Sequence, residues 1–371
     1  MKITVEKGEF LKALTIVKGA IGNSSIIPII EGVNLVAKDN VLTLRGTDLD
    51  KAVSCSIKAN TYFQEVDNQF DVVVSLLVLE TLKSLPEQPL ILEVSDNCFT
   101  IKTLTGEFKT PTELGSDFPK MQVLENAKTA TISNFKAFLA ILKEAVPFAS
   151  TDEMRPAMTG ISVKVEGGKV EVCATDAHML YMNPTFEIDA EDMQFLLPAK
   201  FVKLLEGLPV GEEGVLMAYS GTNINFASGE TTVQCRLVDG RFPDYHAAIP
   251  KGNEVWVELG VKEFEMILKQ TGCYTNNATN TIILRTQNMS NELEAHAIDL
   301  DFSREAKVKA SLIENGFELG IGFNSKKLIQ ICSQINSDTV NILASTPARA
   351  ALFQDQGRPD VIFLCMPVMI G

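Results

Sequence analysis

The chain contains three copies of one structural unit, and this repetition constrains its fold more than any other feature of the sequence. Each copy begins with a short alternating strand that leads into an amphipathic helix near a phenylalanine. Superposing Phe10, Phe138 and Phe264, at offsets of 128 and 126 residues, also superposes the leucines four residues further on. Since these offsets are close to one third of the 371 residues, the sequence predicts three similar domains.

Two further landmarks recur with the same period. In a later strand–helix–turn–strand segment of each third, Ser75, Pro198 and Asn324 fall at the same helix start. Ser and Asn are favourable helix caps, and Pro suits a first helical turn. Between the two helices, residues 32–47 and 160–175 each predict a hairpin, because apolar and polar residues alternate on both sides of a turn. A looser third copy follows in the last third of the chain.

Each third therefore contains two helices and several strands joined by hairpin-like turns. This pattern is typical of an α+β fold in which two helices pack on one face of an antiparallel sheet. We expect the three units to lie side by side, with the sheet of one continuing into the next. Polar, turn-rich segments near 121–129 and 250–254 place the domains at 1–125, 126–253 and 254–371.

The predicted helices differ in charge from the rest of the chain. They hold twelve Lys and six Glu, so they carry +6, whereas the whole chain carries −14 and the remainder −20. For one helix, lysines opposite the apolar stripe are simply the solvated face. Six helices that together carry +6 in an acidic chain indicate contact with a long polyanion, although the net charge alone argues against nucleic acid. These windows contain no Arg, so base-specific readout is not expected. The helix windows are 7–20, 75–84, 133–146, 198–207, 261–271 and 324–334.

Catalytic motifs are absent from the sequence, including GxxxxGK[ST], GxGxxG, GxSxG and HExxH. Asp176 and His178 could form an acid–base pair, but Asp176 has counterparts at Asp48 and Asp299, which favours a structural role at a strand end. For His178, a binding role and a packed, hydrogen-bonded ring both remain open. The segment 237–245, LVDGRFPDY, contains two aromatic residues that we expect to be exposed. Its sequence is equally consistent with a domain linker and with the lip of a pocket.

Composition excludes several classes of protein. The seven cysteines are odd in number and scattered, without a CxxC pair, so neither a disulfide framework nor a zinc site is expected. No apolar run approaches the ~18 residues of a membrane-spanning helix. The start MKITVEKGEF lacks the apolar core of a signal peptide, so we expect a cytoplasmic protein.

Several segments resemble one family. They are TDAHML from Thr175, LVDGRFPDY from Leu237, Asp-Phe-Pro at 117–119, Gly-Phe-Asn at 322–324 and the terminal Met-Pro at 366–367. Together with the three-fold repetition, they resemble the bacterial DNA polymerase III β subunits, the replicative sliding clamps. The resemblance covers the chain from end to end.

The resemblance implies a head-to-tail homodimer in which six clamp domains form a closed ring, with helices around a central hole that holds duplex DNA. It implies a processivity factor that is not an enzyme and needs no cofactor. Its partners would be the α subunit of the replicative polymerase, the clamp loader, and other polymerases and repair proteins that bind through short linear motifs. Lysines facing the phosphates, with acidic sheets outside, would then account for the distribution of charge.

The resemblance also assigns residues. The DNA-facing set is Lys12, Lys18, Lys83, Lys136, Lys143, Lys200, Lys203, Lys262, Lys269, Lys326 and Lys327. The partner-peptide pocket, between the second and third domains, is Met158, Thr175, Ala177, His178, Met179, Leu180, Pro243, Ala247, Ala248, Ala348, Ala350, Leu364, Cys365, Met366, Pro367 and Val368. The dimer interface includes Phe108, Cys273 and Tyr274.

The pocket departs from the family pattern at three positions. Ala177 stands where the family has Gly, and Met179 and Ala247 stand where Arg is common. This lining contains no Arg or Lys, so we expect peptide affinity to change little with salt. The alternative function is an enzyme or small-ligand binder that uses Asp176, His178 and the 237–245 segment.

Overall fold

The computed structural model describes residues 2–22, 27–61, 69–287 and 290–370. The chain forms two compact units. Unit 1 consists of Met1–Leu139, Ile188–Glu191 and Lys200–Leu237, and unit 2 of Ala140–Glu187, Asp192–Ala199 and Val238–Gly371. The predicted middle domain, 126–253, therefore contributes segments to both units.

All six predicted helices are present. The α-helices of the described residues are α1 (Lys7–Lys18), α2 (Leu77–Ser84), α3 (Phe135–Ala145), α4 (Pro156–Thr159), α5 (Ala199–Leu205), α6 (Val261–Gly272) and α7 (Ser325–Cys332). The sequence did not predict α4, because four residues are too few to show a helical period. Short 3-10 helices lie at Pro28–Glu31, Gly115–Asp117 and Val146–Phe148.

Strands account for most of the remaining described residues. The first half of the chain contains β1 (Lys2–Glu6), β2 (Val33–Lys38), β3 (Val41–Thr47), β4 (Lys51–Lys58), β5 (Asn60–Thr61), β6 (Phe70–Val74), β7 (Pro89–Ser95), β8 (Cys98–Lys102), β9 (Glu107–Leu114), β10 (Lys128–Ile132), β11 (Gly160–Glu166), β12 (Lys169–Thr175) and β13 (Met179–Glu187). The second half contains β14 (Met193–Pro198), β15 (Val215–Tyr219), β16 (Asn223–Ser228), β17 (Thr231–Arg236), β18 (Glu254–Gly260), β19 (Thr281–Arg285), β20 (Glu292–Asp299), β21 (Arg304–Ser311), β22 (Glu314–Asn315), β23 (Gly320–Asn324), β24 (Thr339–Ala344), β25 (Ala351–Asp355) and β26 (Ile362–Cys365).

Antiparallel pairing joins one repeat to the next, as the sequence predicted. In unit 1 the described strands form one sheet in the order β10-β15-β16-β17-β4-β3-β2-β6-β9-β8-β7-β1-β5, in which β17 of the middle repeat pairs with β4 of the first. In unit 2 one sheet runs β14-β11-β12-β13-β26-β25-β24-β18-β22, in which β13 of the middle repeat pairs with β26 of the last. A second sheet of unit 2 runs β21-β20-β19-β23.

The predicted hairpins have matching geometry in the first two repeats. Strands β2 and β3 are joined by Asp39 and Asn40, at φ 51° and 63°, and β11 and β12 by Gly167 and Gly168, at φ 56° and 80°. Two consecutive left-handed residues are typical of the tight turn whose twist matches that of paired strands. The two hairpins are therefore equivalent in backbone conformation as well as in sequence pattern.

The repeated phenylalanines and leucines form the buried faces of the helices. Phe10, Phe138 and Phe264 are at most 2% exposed, and the leucines four residues after each are fully buried. Burying one such side chain stabilises a fold by about 1.5–3 kcal/mol. Helix α1 packs on β3 and β4, and α6 packs on β20 and β21, so these helices bury their apolar stripes against sheet and leave the lysine side outward. No helix of the described chain is both long and apolar enough to cross a membrane.

Candidate functional site

The repeated aspartates stabilise the turns that follow a strand. Oδ1 of Asp176 accepts hydrogen bonds from the backbone amides two and three residues on, at 2.8 and 2.7 Å. Oδ1 of Asp48 does the same at 3.2 and 2.9 Å, and Oδ1 of Asp299 accepts from the amide two residues on at 3.2 Å. Aspartate favours such turns because its short side chain can bond to nearby backbone. The structural role predicted for Asp176 is confirmed.

The structure excludes one of the two roles that the sequence left open for His178. Its side chain is exposed, so the packed ring is wrong and the binding role remains. Asp176 bonds to the backbone amide of His178 rather than to its ring. The carbonyl of His178 accepts from the amide of Met366 at 2.7 Å, which ties this turn to the C-terminal segment.

The turn at Ala177 carries backbone strain. Ala177 has φ 72°, in the left-handed region where a Cβ is unfavourable. Thr175 Oγ1 holds the turn by donating to the carbonyl of Met179 at 2.6 Å and accepting from the amide of Ala177 at 3.1 Å. The conformation explains why the family has Gly here, and this chain keeps the same conformation with Ala.

Replacing Ala177 with Gly is expected to raise the free energy of unfolding by up to about 1 kcal/mol, because relief of the left-handed strain exceeds the added entropy of the unfolded chain. The matched control is Ala227→Gly in β16, at ordinary strand φ, which should lower stability by about 0.5–1 kcal/mol. Thermal unfolding of both variants is the measurement. A fall in the melting temperature of Ala177→Gly would contradict the strain.

Lys327 forms an ion pair within unit 2. Its ammonium group pairs with Oδ2 of Asp176, and its side chain is only 23% exposed. The pair ties α7 to the turn before β13. Lys327 therefore differs from the other lysines of the predicted DNA-facing set, whose side chains are exposed.

The other ten lysines of that set are exposed. Two of them form ion pairs on their own helices, Lys83 with Glu80 at 2.8 Å and Lys269 with Glu265 at 2.7 Å. Such exposed pairs are weak, so they leave the ammonium groups available to phosphates. Arg side chains are absent from α1–α3 and α5–α7, so these helices offer no bidentate guanidinium for reading bases.

A cleft of about 500 Å³ opens beside the paired strands β13 and β26. Its wall consists of small and apolar residues with a basic side, namely His246, Ala247, Ala248, Ile249, Pro250, Lys251, Ala348, Arg349, Ala350 and Met366. Five of these, Ala247, Ala248, Ala348, Ala350 and Met366, belong to the predicted pocket. The wall also carries Lys251 and Arg349, two basic residues that the predicted set does not include.

A hydrophobic cluster supports the cleft. Leu180 and Leu364, both predicted for the pocket, are 3% and 2% exposed and pack with Ala350, Phe242 and Tyr245. The two aromatics of the 237–245 segment are 7% and 8% exposed, so the view that they are exposed is wrong. Their rings meet edge to face at 5.8 Å. The segment therefore packs against Ala350, which also lines the cleft.

The remaining predicted residues are distributed around this cluster. Met179 and Cys365 are buried opposite each other on β13 and β26. Pro243 and Met158 are half-buried, the latter in α4. Pro367 and Val368 are half-buried in the C-terminal segment, where the amide of Val368 donates to the carbonyl of Gly322 at 2.7 Å. The structure thus brings the predicted set together in unit 2, but not all of it on the cleft wall.

An ionic network stabilises the seam of β13 and β26. Arg358 Nη1 donates to both carboxylate oxygens of Glu144 at 2.8 Å, and its Nε donates to Asp355 at 2.9 Å. Tyr181 of β13 donates to the same Glu144 at 2.9 Å. Because Asp355 is fully buried, losing Arg358 would leave a buried charge unpaired, which is strongly destabilising.

Tyr245 and His246, a residue of the cleft wall, both contact the carboxylate of Glu171. The hydroxyl of Tyr245 donates to Glu171 Oε1, and Nε2 of His246 lies 3.4 Å from the same oxygen. Burial, followed by the hydrogen bond to the carboxylate, raises the pKa of the Tyr245 phenol. The ring therefore stays neutral and donating, and it fixes the start of the 246–251 wall.

The predicted interface residues lie at the surface of their respective units. Phe108 of β9 is 40% exposed, and Tyr274, just after α6, is 44% exposed. All seven cysteines are free, and Cys273 is the exposed one. Burial raises the pKa of the Cys365 thiol to about 12 and that of Cys173 well above its usual range.

Comparison with known proteins identifies the family. Models of the DNA polymerase III beta subunit match in succession, the N-terminal domain over residues 1–122, the central domain over 135–244 and the C-terminal domain over 246–369. The beta sliding clamp of Pseudomonas putida is 26% identical over 375 residues, with both chains fully covered. Crystal structures of the subunit from Pseudomonas aeruginosa and from Thermotoga maritima superpose with TM-scores of 0.91 and 0.89, at 24% and 20% identity, with full coverage of both chains.

Three clamp domains with antiparallel sheets and outward lysines define a DNA sliding clamp, a processivity factor that is not an enzyme. The chain belongs to the DNA polymerase III beta subunit family. The alternative of an enzyme or small-ligand binder is not favoured, since Asp176 is occupied by backbone amides and by Lys327.

Proposed function

We propose that the chain acts as a head-to-tail homodimer whose six domains encircle duplex DNA. The observation that carries this proposal is the charge of the helices: ten exposed lysines of the predicted set in a chain of net charge −14. A lining of lysines attracts any duplex without reading its bases, and such contacts permit sliding. The domains are proposed to span 1–125, 126–253 and 254–371, and the protein to act in the cytoplasm.

Two strand edges support a head-to-tail interface. In unit 2, β21 is an edge strand of its sheet, and exposed apolar side chains at Leu300 and Phe302 precede it. In unit 1, the 107–111 part of β9 pairs with β8, while β6 pairs only with residues 112–114. Among the residues that the structure describes, the other edge of this part has no strand partner. A heterologous interface joins two different surfaces, here one strand edge from each unit. It produces a closed ring only when the rotation that relates the copies closes.

The cleft of unit 2 is the proposed docking site for partners. Short linear motifs of the replicative polymerase α subunit, the clamp loader, and other polymerases and repair proteins would bind there, with a Gln followed by aliphatic or aromatic residues. The small side chains of Ala247, Ala248 and Ala348 leave room for such residues above the cluster of Leu180 and Leu364. An apolar groove with few polar groups suits an extended peptide.

Encirclement is tested by the topology of the DNA. Protein loaded on a closed circular duplex is expected to persist at salt that screens its lysines, and to be lost after the circle is linearised, because only the closed circle traps a ring. Direct binding to linear DNA should be weak and steeply salt-dependent. Gel filtration of labelled protein with each DNA is the measurement. Equal retention on circular DNA and on linear DNA with free ends would exclude the ring mechanism.

A further inference from the structure

The seams at which a strand of one repeat pairs with a strand of the next are built alike in the two units. In unit 2, β26 lies between β13 and β25, and in unit 1, β17 lies between β4 and β16. Leu364 of β26 pairs with Leu352 of β25. At the equivalent place in unit 1, Gln234 of β17 pairs with Asn225 of β16. Two leucines of one seam are therefore two amides in the other.

The register of each seam establishes this equivalence. Leu364 also pairs with Leu180, and Gln234 also pairs with Ala52. Each of these partners lies five residues after the threonine of the Thr-Asp pair that begins a repeated turn. Leu364 and Gln234 therefore occupy the same position in two copies of one structure.

Two wall positions of the cleft also have counterparts in unit 1. Counting from the Phe-Pro pair that both connecting segments contain, Gln122 corresponds to His246. Asn223 and Ala350 correspond because each lies two residues before the paired residue of β16 or β25. In unit 2 both positions line the cleft.

The four amide residues of unit 1 bond to one another, and we call Gln122, Asn223, Asn225 and Gln234 the amide clasp. Oε1 of Gln234 accepts from the backbone amide of Gln122 at 3.0 Å, and its Nε2 donates to the carbonyl of Gln122 at 2.8 Å. The same Nε2 donates to Oδ1 of Asn225 at 2.8 Å. Nδ2 of Asn223 donates to the side-chain oxygen of Gln122 at 2.8 Å. Gln234 is 5% exposed, so these bonds satisfy the polar atoms of a buried amide.

The clasp joins positions that line an open cleft in the other unit. Gln122 is bonded to Asn223, whereas the counterparts His246 and Ala350 line a cleft of about 500 Å³. Leu364, the counterpart of the central amide, packs instead in the hydrophobic cluster that supports the cleft. Alanine and leucine side chains cannot form the hydrogen bonds of the clasp. The residue types at these positions therefore distinguish the joined seam from the open one.

On the premise that the cleft of unit 2 is the partner site proposed above, we infer that unit 1 contains a second copy of this cleft, which the amide clasp keeps closed. Because the chain's own Gln122 takes the hydrogen bonds of Gln234 and Asn223, the clasp is an autoinhibitory contact that limits each chain to one partner peptide. The opened copy takes the same class of ligand, an extended peptide with apolar anchors. The clasp consists of neutral groups, so salt does not release it as it would an exposed ion pair.

Calorimetry counts the peptides that each chain binds. The probe is a blocked hexapeptide that begins with Gln and contains Leu and Phe. The clasp variant combines Asn223→Ala with Gln234→Leu, which installs the residues found at the equivalent positions of unit 2. The wild-type dimer is expected to bind one peptide per chain, and the clasp variant two. In the Ala348→Gln background, which blocks the cleft of unit 2, the clasp variant should raise peptide affinity at least about tenfold.

A matched control removes an amide pair outside the clasp. Nε2 of Gln356 donates to Oδ1 of Asn341 at 3.4 Å, and neither residue lines the cleft. Asn341→Ala combined with Gln356→Leu should therefore keep one peptide per chain. Hydrogen exchange at the backbone amide of Gln122 reports on the clasp directly, and it should be at least about tenfold faster in the clasp variant than in the wild type.

The outcomes separate this inference from the function on which it rests. One peptide per chain in the clasp variant, with fast exchange at Gln122, would show that the opened seam is not a second cleft and would leave the partner site of unit 2 in place. Unchanged exchange at Gln122 would show that the clasp does not hold the seam closed, which also overturns the inference. Failure of the wild-type protein to bind the peptide would overturn the partner site of unit 2 and the inference with it.

Discussion

Replacing Phe108 with Asp is expected to convert the dimer to a monomer and to abolish retention on circular DNA. The phenyl ring is partly exposed in the single chain, and in the proposed dimer it faces the segment after α6 of the partner copy. A carboxylate in that contact would be buried without a partner, at a cost of at least about 2–3 kcal/mol, or about a hundredfold per interface. A ring of two chains carries the defect at both interfaces. Analytical ultracentrifugation measures the loss.

Cys273 provides an independent readout of the same interface. Because this thiol is exposed in the single chain, a maleimide should label it rapidly in the Phe108→Asp variant and slowly in the wild-type dimer. Peptide mapping would separate it from the other thiols. Val123→Asp, which places the same charge at an 88% exposed position, is the control and should stay dimeric. A Phe108→Asp variant that sediments as a dimer with protected Cys273 would show that the interface lies elsewhere.

The sequence predicts the helices well because their buried stripes are long enough to show a period. In α1, α3 and α6 the repeated Phe and Leu point into the core, and no tertiary contact is needed to recognise the spacing. The pairing of β17 with β4 is different. Its partners Thr231 and Cys55 are 176 residues apart, so nothing local specifies the register. Repetition predicts that sheets continue from one repeat to the next, but only the folded chain shows which strands meet.

The candidate site also contains residues that the sequence predicts and residues that it does not. Family resemblance locates Ala348 and Ala350 by position, yet it overlooks Arg349 between them, because a resemblance transfers the family's residues and not the charges peculiar to this chain. In a strand the middle residue would point away from its neighbours. Residues 345–350 form a turn, however, so alternation does not apply and all three can line one cleft. The position of Arg349 between two predicted residues is the feature of the sequence that could have identified it as part of the cleft.

The ion pair between Lys327 and Asp176 could not be predicted from the helix pattern either. Lys326 and Lys327 are neighbours in the first turn of α7, and Asn324 caps that helix by accepting from both of their amides. The local sequence therefore contains nothing that distinguishes Lys326 from Lys327. They differ because the turn before β13 lies beside one of them and supplies a carboxylate, a contact made by residues 151 positions apart.

Removal of the chain from Met366 onward is expected to abolish polymerase stimulation while leaving the dimer intact. Strand β26 ends at Cys365, so the sheet is spared. The truncation removes one lining residue of the cleft and the two amide hydrogen bonds that Met366 and Val368 make to the carbonyls of His178 and Gly322. Primer extension with the cognate polymerase, together with sedimentation, is the measurement.

Ala348→Gln tests the same cleft without altering the backbone. The small side chain of Ala348 lines the wall, and a longer one should occupy the space of a peptide side chain and leave its amide poorly solvated, which weakens a polymerase-tail peptide at least about tenfold. The control, Ala190→Gln in the 188–191 segment of unit 1, adds the same side chain at a residue that does not line the cleft and should bind as wild type. Calorimetric titration compares the three proteins. Since both the substitution and the truncation act on the cleft while sparing β9 and α6, wild-type affinity in both variants would place the partner site on another surface of the clamp.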